Sequence, residues 1–508
     1  MLAELYTKSS KERSMLKRTG LALLPSFLGP LVTKQEVKPD KLYPTSCLDG
    51  LRGIAALFVF FFHILFGYRS QPYLEYGYGV EPGFHYIWQL PFLRLITAGH
   101  AMVSIFFVVG GYVSSLKALK LMHSHSWEAL QQNLASSFFR RGIRLYLPPI
   151  IATFVTMLAI HFGLWEFSSY YTRQHDYVFY HDYHQEPKST FGEQLNHWWH
   201  QTWDMTNVFG IFPPDHHGYQ IPIYNEYDPH LWTVAYEMRG SLIVAVVLLL
   251  FSRCHVPLRL LFVFCTTIFC GYRDRWEVVL FLSGTFLAEV DLLLQARRSS
   301  DRSGSGSEPL LATHHDPAIS PHWTSAPSRS WFRIHRILSH LWFGQKSWII
   351  LFIVGCYLAS APNLNIGNTP GYVWLDSIPF ANYYYDRKRF LQGSGCTLIV
   401  WAVSNSPILQ EPFTSKFALY MGKISYSFYI VHGPINHMVG YYVTGRIWDI
   451  VGKESTTQFC TGLVLGSVVL AACVFWTADL FWRVVDGNAV KASRMIEEFC
   501  FVRDGEKA

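Results

Sequence analysis

A histidine lies deep inside one of the most apolar stretches of the chain. His63 sits among phenylalanines in the run IAALFVFFFHILFGY, which follows the charged segment DGLRG at Asp49 to Gly53. Burying an ionisable side chain in lipid is costly, so an intramembrane histidine marks a candidate functional site. We interpret His63 as a proton-transfer group inside a membrane. The alternative is a structural histidine that bonds a neighbouring backbone carbonyl.

Two charged residues precede that histidine. Asp49 and Arg52 are one helical turn apart and can form an ion pair at the start of the helix. Such a pair, with no role in chemistry, is the simpler interpretation of both residues. His63 follows Arg52 by eleven residues, about 16 Å along a helix. This spacing predicts that His63 lies near the middle of the membrane.

A basic cluster lies in the segment FFRRGIRLYLPP. Arg141 and Arg144 share one face of a helix, and guanidinium groups bind phosphates through two hydrogen bonds. Positive charge on the cytosolic side of a membrane protein also explains the cluster, and the spacing alone does not choose between the two. Pro148 and Pro149 follow, and we expect them to bend the chain or to begin the next span.

The segment PHLWTVAYEMRGS carries an acidic residue into a long apolar run. Glu237 and Arg239 point about 200° apart on an ideal helix, so we expect Glu237 to find its partner on another helix. That partner is either His63, whose imidazole the carboxylate would orient, or a basic residue of the first or third span. An interhelical ion pair that only stabilises the fold is the alternative.

The segment KISYSFYIVHGPI contains Ser425, Tyr426, Ser427, Tyr429 and His432. Serine and tyrosine in membrane helices commonly form hydrogen bonds between helices, so packing is the favoured role here. His432 is a second candidate ionisable group. The histidines of the outer segment have no convincing spacing for a zinc site, so we expect no metal.

The composition indicates a polytopic membrane protein. Only 15% of the residues are charged, 50% are hydrophobic and 17% are aromatic. The net charge of +6 is modest, and basic residues in such a protein usually report its topology, so we expect no nucleic-acid partner. Hydropathy predicts about ten membrane-spanning helices, at residues 51–68, 96–116, 145–165, 231–252, 256–273, 276–295, 347–361, 388–405, 416–440 and 459–482.

The basic residues predict which segments face the cytosol. The N-terminal tail, the loop around Arg140 and the segment 297–346 are rich in lysine and arginine, so both termini are expected to be cytosolic. Residues 166–230 have few basic residues and are expected outside or in the lumen. The basic run at 387–389 does not fit this topology, because it falls at the outer end of a predicted helix. Residues 297–330 have the composition of a disordered loop.

The ordered set of segments CLDGLRGIAALFVFFFH, FFVVGGY, FFRRGIRLYLPP, LWTVAYEMRGS and KISYSFYIVHG resembles the acyltransferase 3 family of integral membrane acyltransferases, in a fungal-type form. The resemblance covers about residues 47–486, which leaves cytosolic tails at 1–46 and 487–508. It implies an all-α bundle of about ten membrane helices. It also implies transfer of an acyl group from cytosolic acyl-CoA to a hydroxyl acceptor, in the endomembrane system or the plasma membrane.

Carried over to this chain, the family's essential histidine is His63, and its arginines are Arg52, Arg141 and Arg144. As a hypothesis, His63 accepts the hydroxyl proton, Glu237 supports the imidazolium, and the three arginines bind acyl-CoA. Supporting roles are expected for the residues Asp49, Arg239, Ser425, Tyr426 and His432. Acyl-CoA is a co-substrate, and no cofactor is expected.

The acceptor stays open at this point. A sugar, a lipid or a secondary-metabolite alcohol would each fit. A secondary transporter or flippase would also place ionisable residues inside the membrane, but it would favour broken helices in matching halves. A membrane receptor or scaffold explains the buried charges less well.

Overall fold

The computed structural model describes residues 23–28, 32, 42–68, 71–174, 177–179, 185–209, 225–303 and 344–502. Within these ranges the chain forms helices and turns, with one isolated bridge between Asn225 and Asp228. The helices of eleven residues or more are α1 (Ser46–Tyr68), α2 (Gly99–His123), α3 (Trp127–His161), α4 (Phe191–Met205), α5 (Trp232–Leu250), α6 (Val256–Tyr272), α7 (Trp276–Ser303), α8 (Gln345–Ala359), α9 (Lys388–Asn405), α10 (Lys416–Ile435), α11 (Tyr441–Val451), α12 (Thr456–Phe481) and α13 (Gly487–Cys500).

The predicted all-α fold is confirmed in the described ranges, and each of the ten predicted spans overlaps one of these helices. Five helical segments there are long and apolar enough to cross a membrane: α1, α2, α3, the segment that contains α5, and the segment that contains α12 and α13. Helices α6 and α8 are apolar but shorter. The total of ten crossings and the cytosolic position of the termini stay predictions.

Helix α3 continues through the two prolines that were expected to bend the chain or begin a span. A proline inside a helix removes the backbone donor to the carbonyl four residues earlier. For Pro149 that carbonyl belongs to Leu145, and the Tyr426 hydroxyl of α10 donates a hydrogen bond to it. The tyrosine thereby replaces the missing backbone bond and ties α10 to α3, as expected of its supporting role.

Glycines bring α1 against α10. A Cβ atom built on Gly53 would lie 2.4 Å from the backbone nitrogen of Gly422, and one on Gly422 would lie 2.6 Å from the Asp49 carbonyl oxygen. The two backbones therefore touch at the DGLRG segment. In the same way, a Cβ atom on Gly111 of α2 would lie 1.9 Å from the Phe281 carbonyl oxygen of α7. The glycines of these motifs serve close helix packing.

The segments predicted as tails and loops are in part folded. Helix α13 covers residues 487–500, and its Glu497 forms an ion pair with Arg140 of α3 at 3.1 Å. Near the N-terminus, the backbone nitrogen of Ser26 donates to the Asp479 carboxylate of α12 at 3.0 Å. Helix α7 extends to Ser303, and the predicted disordered loop beyond it, 304–330, lies outside the described residues.

The basic run at 387–389, which does not fit the predicted topology, has acidic partners. Arg387 pairs with Asp376 at 2.7 Å, and Lys388 pairs with Asp386 at 3.0 Å. Arg389 stacks over the Trp276 ring at 4.1 Å. Each of the three basic side chains therefore has a partner within the fold.

Candidate active site

A cavity of about 600 Å³ opens between α1, α2, α3, α5, α10 and the start of α13. Its wall carries six cationic side chains and two carboxylates, the latter from Glu237 and Asp486. The cations are Arg52, Lys117, Arg140, Arg141, Arg144 and Lys423. The three arginines predicted from the sequence therefore share one wall, and Lys117, Arg140 and Lys423 are additions that the sequence analysis had assigned to topology or had not considered.

The cavity is long as well as cationic. Its lining residues on α5 run from Leu248 to Thr233, which corresponds to about 22 Å along a helix. At its inner end lie Thr233 and Tyr429, whose hydroxyl groups are 2.9 Å apart. The Tyr429 hydroxyl donates a hydrogen bond to the backbone carbonyl of His230. The inner end of the cavity is therefore one contact away from a buried histidine.

The predicted support of His63 by Glu237 is wrong. Glu237 Oε1 accepts a hydrogen bond from Arg141 Nη2 at 3.0 Å, with both side chains about a quarter exposed (30% and 26%). This is the alternative partner that the sequence left open, a basic residue beside the third span. The packing of α3 against α5 places Glu237 beside Arg141 on the cavity wall, where the guanidinium and the carboxylate form a charged hydrogen bond.

His63 instead meets a second histidine that the sequence analysis missed. His63 Nδ1 and His230 Nε2 are 3.1 Å apart, and the two ring planes are almost perpendicular at 88°. On its other side, His230 Nδ1 lies 2.9 Å from Asp228 Oδ1. Asp228 and His230 are buried, with 1% and 4% exposure, whereas His63 keeps some accessible surface. The three side chains form a hydrogen-bonded chain.

The protonation pattern of that chain follows from its carboxylate. Asp228 accepts a hydrogen bond from His230 Nδ1–H, which leaves a lone pair on His230 Nε2. His63 Nδ1–H then donates to that lone pair, and the lone pair of His63 is left on Nε2. The arrangement selects the tautomer in which His63 Nε2 can accept a proton.

His432 completes a cluster of three imidazoles. Its ring centroid lies 4.5 Å from that of His230 and 5.3 Å from that of His63. His432 Nδ1 donates to the Tyr429 carbonyl oxygen at 2.6 Å. One ring nitrogen from each histidine lies within 4.8 Å of the others. The sequence analysis expected no metal site, so this grouping was missed.

The other predicted residues have local roles. Asp49 and Arg52 form the expected ion pair, with 3.7 Å between Oδ1 and Nη1. Arg239 pairs with Glu277 at 3.0 Å and not with Glu237, as its direction on the helix predicts. The Ser425 hydroxyl donates to the Gly422 carbonyl of its own helix at 3.0 Å, and not to another helix.

Comparison with known proteins identifies the family. The family model for the acyltransferase domain of the acyltransferase 3 family matches residues 45–482. The chain belongs to the acyltransferase 3 family. The matched range begins just before α1 and ends just after α12, so it contains all three clustered histidines and the cationic cavity except for Asp486, Gly487 and Val490.

Three fungal proteins are similar to this acyltransferase over most of its length. An O-acetyltransferase named PaAT-1 from Phomopsis amygdali is 28% identical over 478 residues, which are 92% of this chain and 87% of that protein. Acyltransferase clz18 from Cochliobolus lunatus is 24% identical, over 89% of this chain and 96% of that protein. Acyltransferase R4 from a Phoma species is also 24% identical, over 88% and 94%. No solved structure matches the chain.

Proposed function

We propose that this acyltransferase moves an acetyl group from acetyl-CoA to a hydroxyl group of a small-molecule acceptor within the membrane. The observation that carries the proposal is the cationic cavity whose inner end, at Tyr429, is one hydrogen bond away from His230 of the Asp228–His230–His63 chain. The O-acetyltransferase activity named for the Phomopsis relative supports the choice of acetyl.

The wall of the cavity suits coenzyme A. Phosphate groups are bound best by arginine, which offers two parallel hydrogen bonds, and Arg52 and Arg144 are the candidates for this contact. Arg141 is less available because Glu237 binds it at 3.0 Å, closer than the 3.7 Å between Arg52 and Asp49. The length of about 22 Å along α5 lets an extended pantetheine arm carry the thioester from the cationic mouth to Thr233 and Tyr429.

The histidine chain supplies the base. His63 Nε2 accepts the hydroxyl proton as the acceptor oxygen attacks the thioester carbonyl carbon. The carbon–sulfur bond breaks, the thiolate leaves, and the proton on His63 passes to it. His230 and Asp228 hold His63 in the tautomer that can accept a proton, and the Asp228 carboxylate stabilises the positive charge that develops on the imidazole.

The acceptor is proposed as a secondary-metabolite alcohol, on analogy with fungal relatives whose names state acyltransferase activity. A sugar or lipid hydroxyl is the second candidate. The reaction type is independent of this choice, because any of these acceptors presents a hydroxyl group to the same base.

The test uses the full-length protein purified into lipid nanodiscs, with acetyl-CoA labelled in the acetyl group. A panel of terpenoid, polyketide, sugar and lipid alcohols is offered, and labelled ester and free CoA thiol are measured together. The proposal predicts that one class of alcohol yields ester and thiol in equal amounts. Acetyl-CoA that stays intact with every class, while the same protein reconstituted into lipid vesicles moves an alcohol across their membranes, would favour the transporter alternative and contradict the proposal.

A further inference from the structure

We propose that His63, His230 and His432 form a binding site for a divalent transition-metal ion of the zinc class, and that the bound ion inhibits acyl transfer. The inhibitory part rests on the proposed function, because it acts through His63. The binding part rests on geometry alone. Three imidazoles with an open fourth position are an established ligand set for zinc.

The distances suit such an ion. Tetrahedral zinc–nitrogen bonds of about 2.0–2.1 Å place two ligand nitrogens about 3.3 Å apart. His63 Nδ1 and His230 Nε2 are already 3.1 Å apart, and all three donor nitrogens lie within 4.8 Å of one another. Closing the site therefore requires the longest of these separations, at most 4.8 Å, to shorten by no more than about 1.5 Å.

The surrounding hydrogen bonds prepare the ligands. Histidines that bind metals usually donate their second ring N–H to a carboxylate or to a backbone carbonyl. His230 does so to Asp228 at 2.9 Å, and His432 does so to the Tyr429 carbonyl at 2.6 Å. Both rings are thereby held with a lone pair on Nε2.

His432 provides the second, independent sign of a ligand. Its side chain is 1% exposed, and its Nε2 atom is buried without a hydrogen-bond partner in the described part of the chain. Buried polar atoms normally have partners, and each exception calls for a reason. A metal ion at the centre of the cluster would give this nitrogen its partner.

Metal binding and proton acceptance exclude each other at His63. Binding through Nδ1 requires the lone pair on Nδ1, which moves the ring proton to Nε2. His63 Nε2 then becomes a donor and can no longer accept the hydroxyl proton. The ion would also take the place of the proton that His63 shares with His230. Occupancy of the site therefore removes the base.

Cobalt titration of the purified full-length protein tests the site, because Co²⁺ bound in a tetrahedral nitrogen site absorbs visible light. After treatment with a chelator, the wild type is expected to bind one Co²⁺, which Zn²⁺ displaces. His432→Asn is expected to weaken binding at least about tenfold. The control His437→Asn changes a histidine that stacks on Trp165, outside the cluster, and is expected to keep the absorption.

The outcomes separate this proposal from the proposed function. A wild type that shows no tetrahedral cobalt spectrum, or a His432→Asn protein that binds cobalt as well as the wild type, would overturn the metal site. If chelated protein transfers acetyl groups but binds no cobalt, the site fails and the proposed function stands. If it binds cobalt but transfers nothing with or without chelator, the proposed function fails and the site stands. Zinc that binds without slowing transfer would overturn the inhibition.

Discussion

Replacing Asp228 by asparagine isolates the contribution of the buried carboxylate. Asp228 also caps the helical turn Pro229–Leu231, where it accepts a hydrogen bond from the His230 backbone nitrogen at 3.2 Å. Asparagine is about as good a cap as aspartate and has the same shape, so we expect the fold to survive. The same Oδ1 atom accepts from the His230 backbone N–H and from His230 Nδ1–H, so an asparagine that keeps the cap keeps both bonds and loses only the negative charge.

The size of the effect follows from two losses. At an effective dielectric constant of about 20, opposite charges roughly 7 Å apart attract by about 2.4 kcal/mol, which corresponds to about 50-fold in rate. The second loss belongs to the rotated amide, whose NH2 group donates to His230 Nδ1 at the expense of the cap; this reverses the hydrogen bonds along the chain and moves the His63 proton to Nε2. A wrong tautomer of this kind has cost about 10⁴-fold in a serine protease. We therefore expect kcat to fall by between about 50-fold and about 10⁴-fold.

The assay is steady-state release of CoA thiol from acetyl-CoA by purified protein, with the best alcohol of the panel. Asp376→Asn is the matched control, because it removes a carboxylate that pairs with Arg387 and lies outside the cavity. We expect this control to keep kcat while Asp228→Asn loses it, with KM for acetyl-CoA unchanged in both. A kcat for Asp228→Asn within about threefold of the wild type would refute the role given to the carboxylate.

Three further changes test the cavity, the helix packing and an outer carboxyl group. Arg144→Ala removes an exposed guanidinium from the cavity wall. It is expected to raise KM for acetyl-CoA by roughly 10- to 100-fold with little change in kcat, because a charged hydrogen bond contributes about 1.5–3 kcal/mol. An unchanged KM in the same assay would contradict phosphate binding at Arg144. Gly53→Ala drives a methyl group into the Gly422 backbone and is expected to lower the stability measured by thermal unfolding by about 1–3 kcal/mol. In the control Gly192→Ala the new methyl group meets no atom within 4 Å, so this change is expected to be neutral or stabilising. Equal unfolding temperatures for the two variants would contradict the close contact between α1 and α10. Burial raises the pKa of Asp274, in the turn between α6 and α7, to about 6, so the folded state binds that proton more tightly than the unfolded state and loses stability as the pH rises through about 6. Asp274→Asn is therefore expected to raise the unfolding temperature at about pH 8 and to change it little below about pH 4; a gain of the same size at both would show that the carboxyl charge is not the cause.

Much of the fold was predictable because helix positions in a membrane protein follow from local hydropathy. Each predicted span falls on a helix, since an apolar run of sufficient length has few other stable conformations in lipid. The course of α3 through Pro148 and Pro149 was not predictable from that segment alone. The compensating donor, Tyr426, is 281 residues away from the carbonyl that it satisfies.

The candidate site was predictable only in part, because its residues come from segments that are far apart in the sequence. His63 and the arginines could be identified from the sequence, because ionisable residues within or beside apolar runs are visible there. The partner of His63 is 167 residues away, in the helical turn Pro229–Leu231 just before α5, where its position at a predicted span boundary made it look like a residue of the outer loop. One signal was present: in Asp228–Pro229–His230, a capping aspartate precedes a proline and holds the histidine beside it.

Glu237 shows that the sequence can indicate the need for a partner without identifying which residue it is. The sequence showed that this carboxylate needs a partner on another helix, but two partners satisfied that requirement. The choice of Arg141 over His63 depends on how deep α3 and α5 sit relative to α1. Helix length and hydropathy specify that depth only to within about a turn.

The most direct test of the account is the rate of acetyl transfer after His63→Ala, measured with labelled acetyl-CoA in nanodiscs that contain equal amounts of folded protein. A general base contributes about 10²- to 10⁴-fold, so the account predicts a loss of that size with acetyl-CoA binding retained. A His63→Ala protein that transfers the acetyl group within about threefold of the wild-type rate would contradict it.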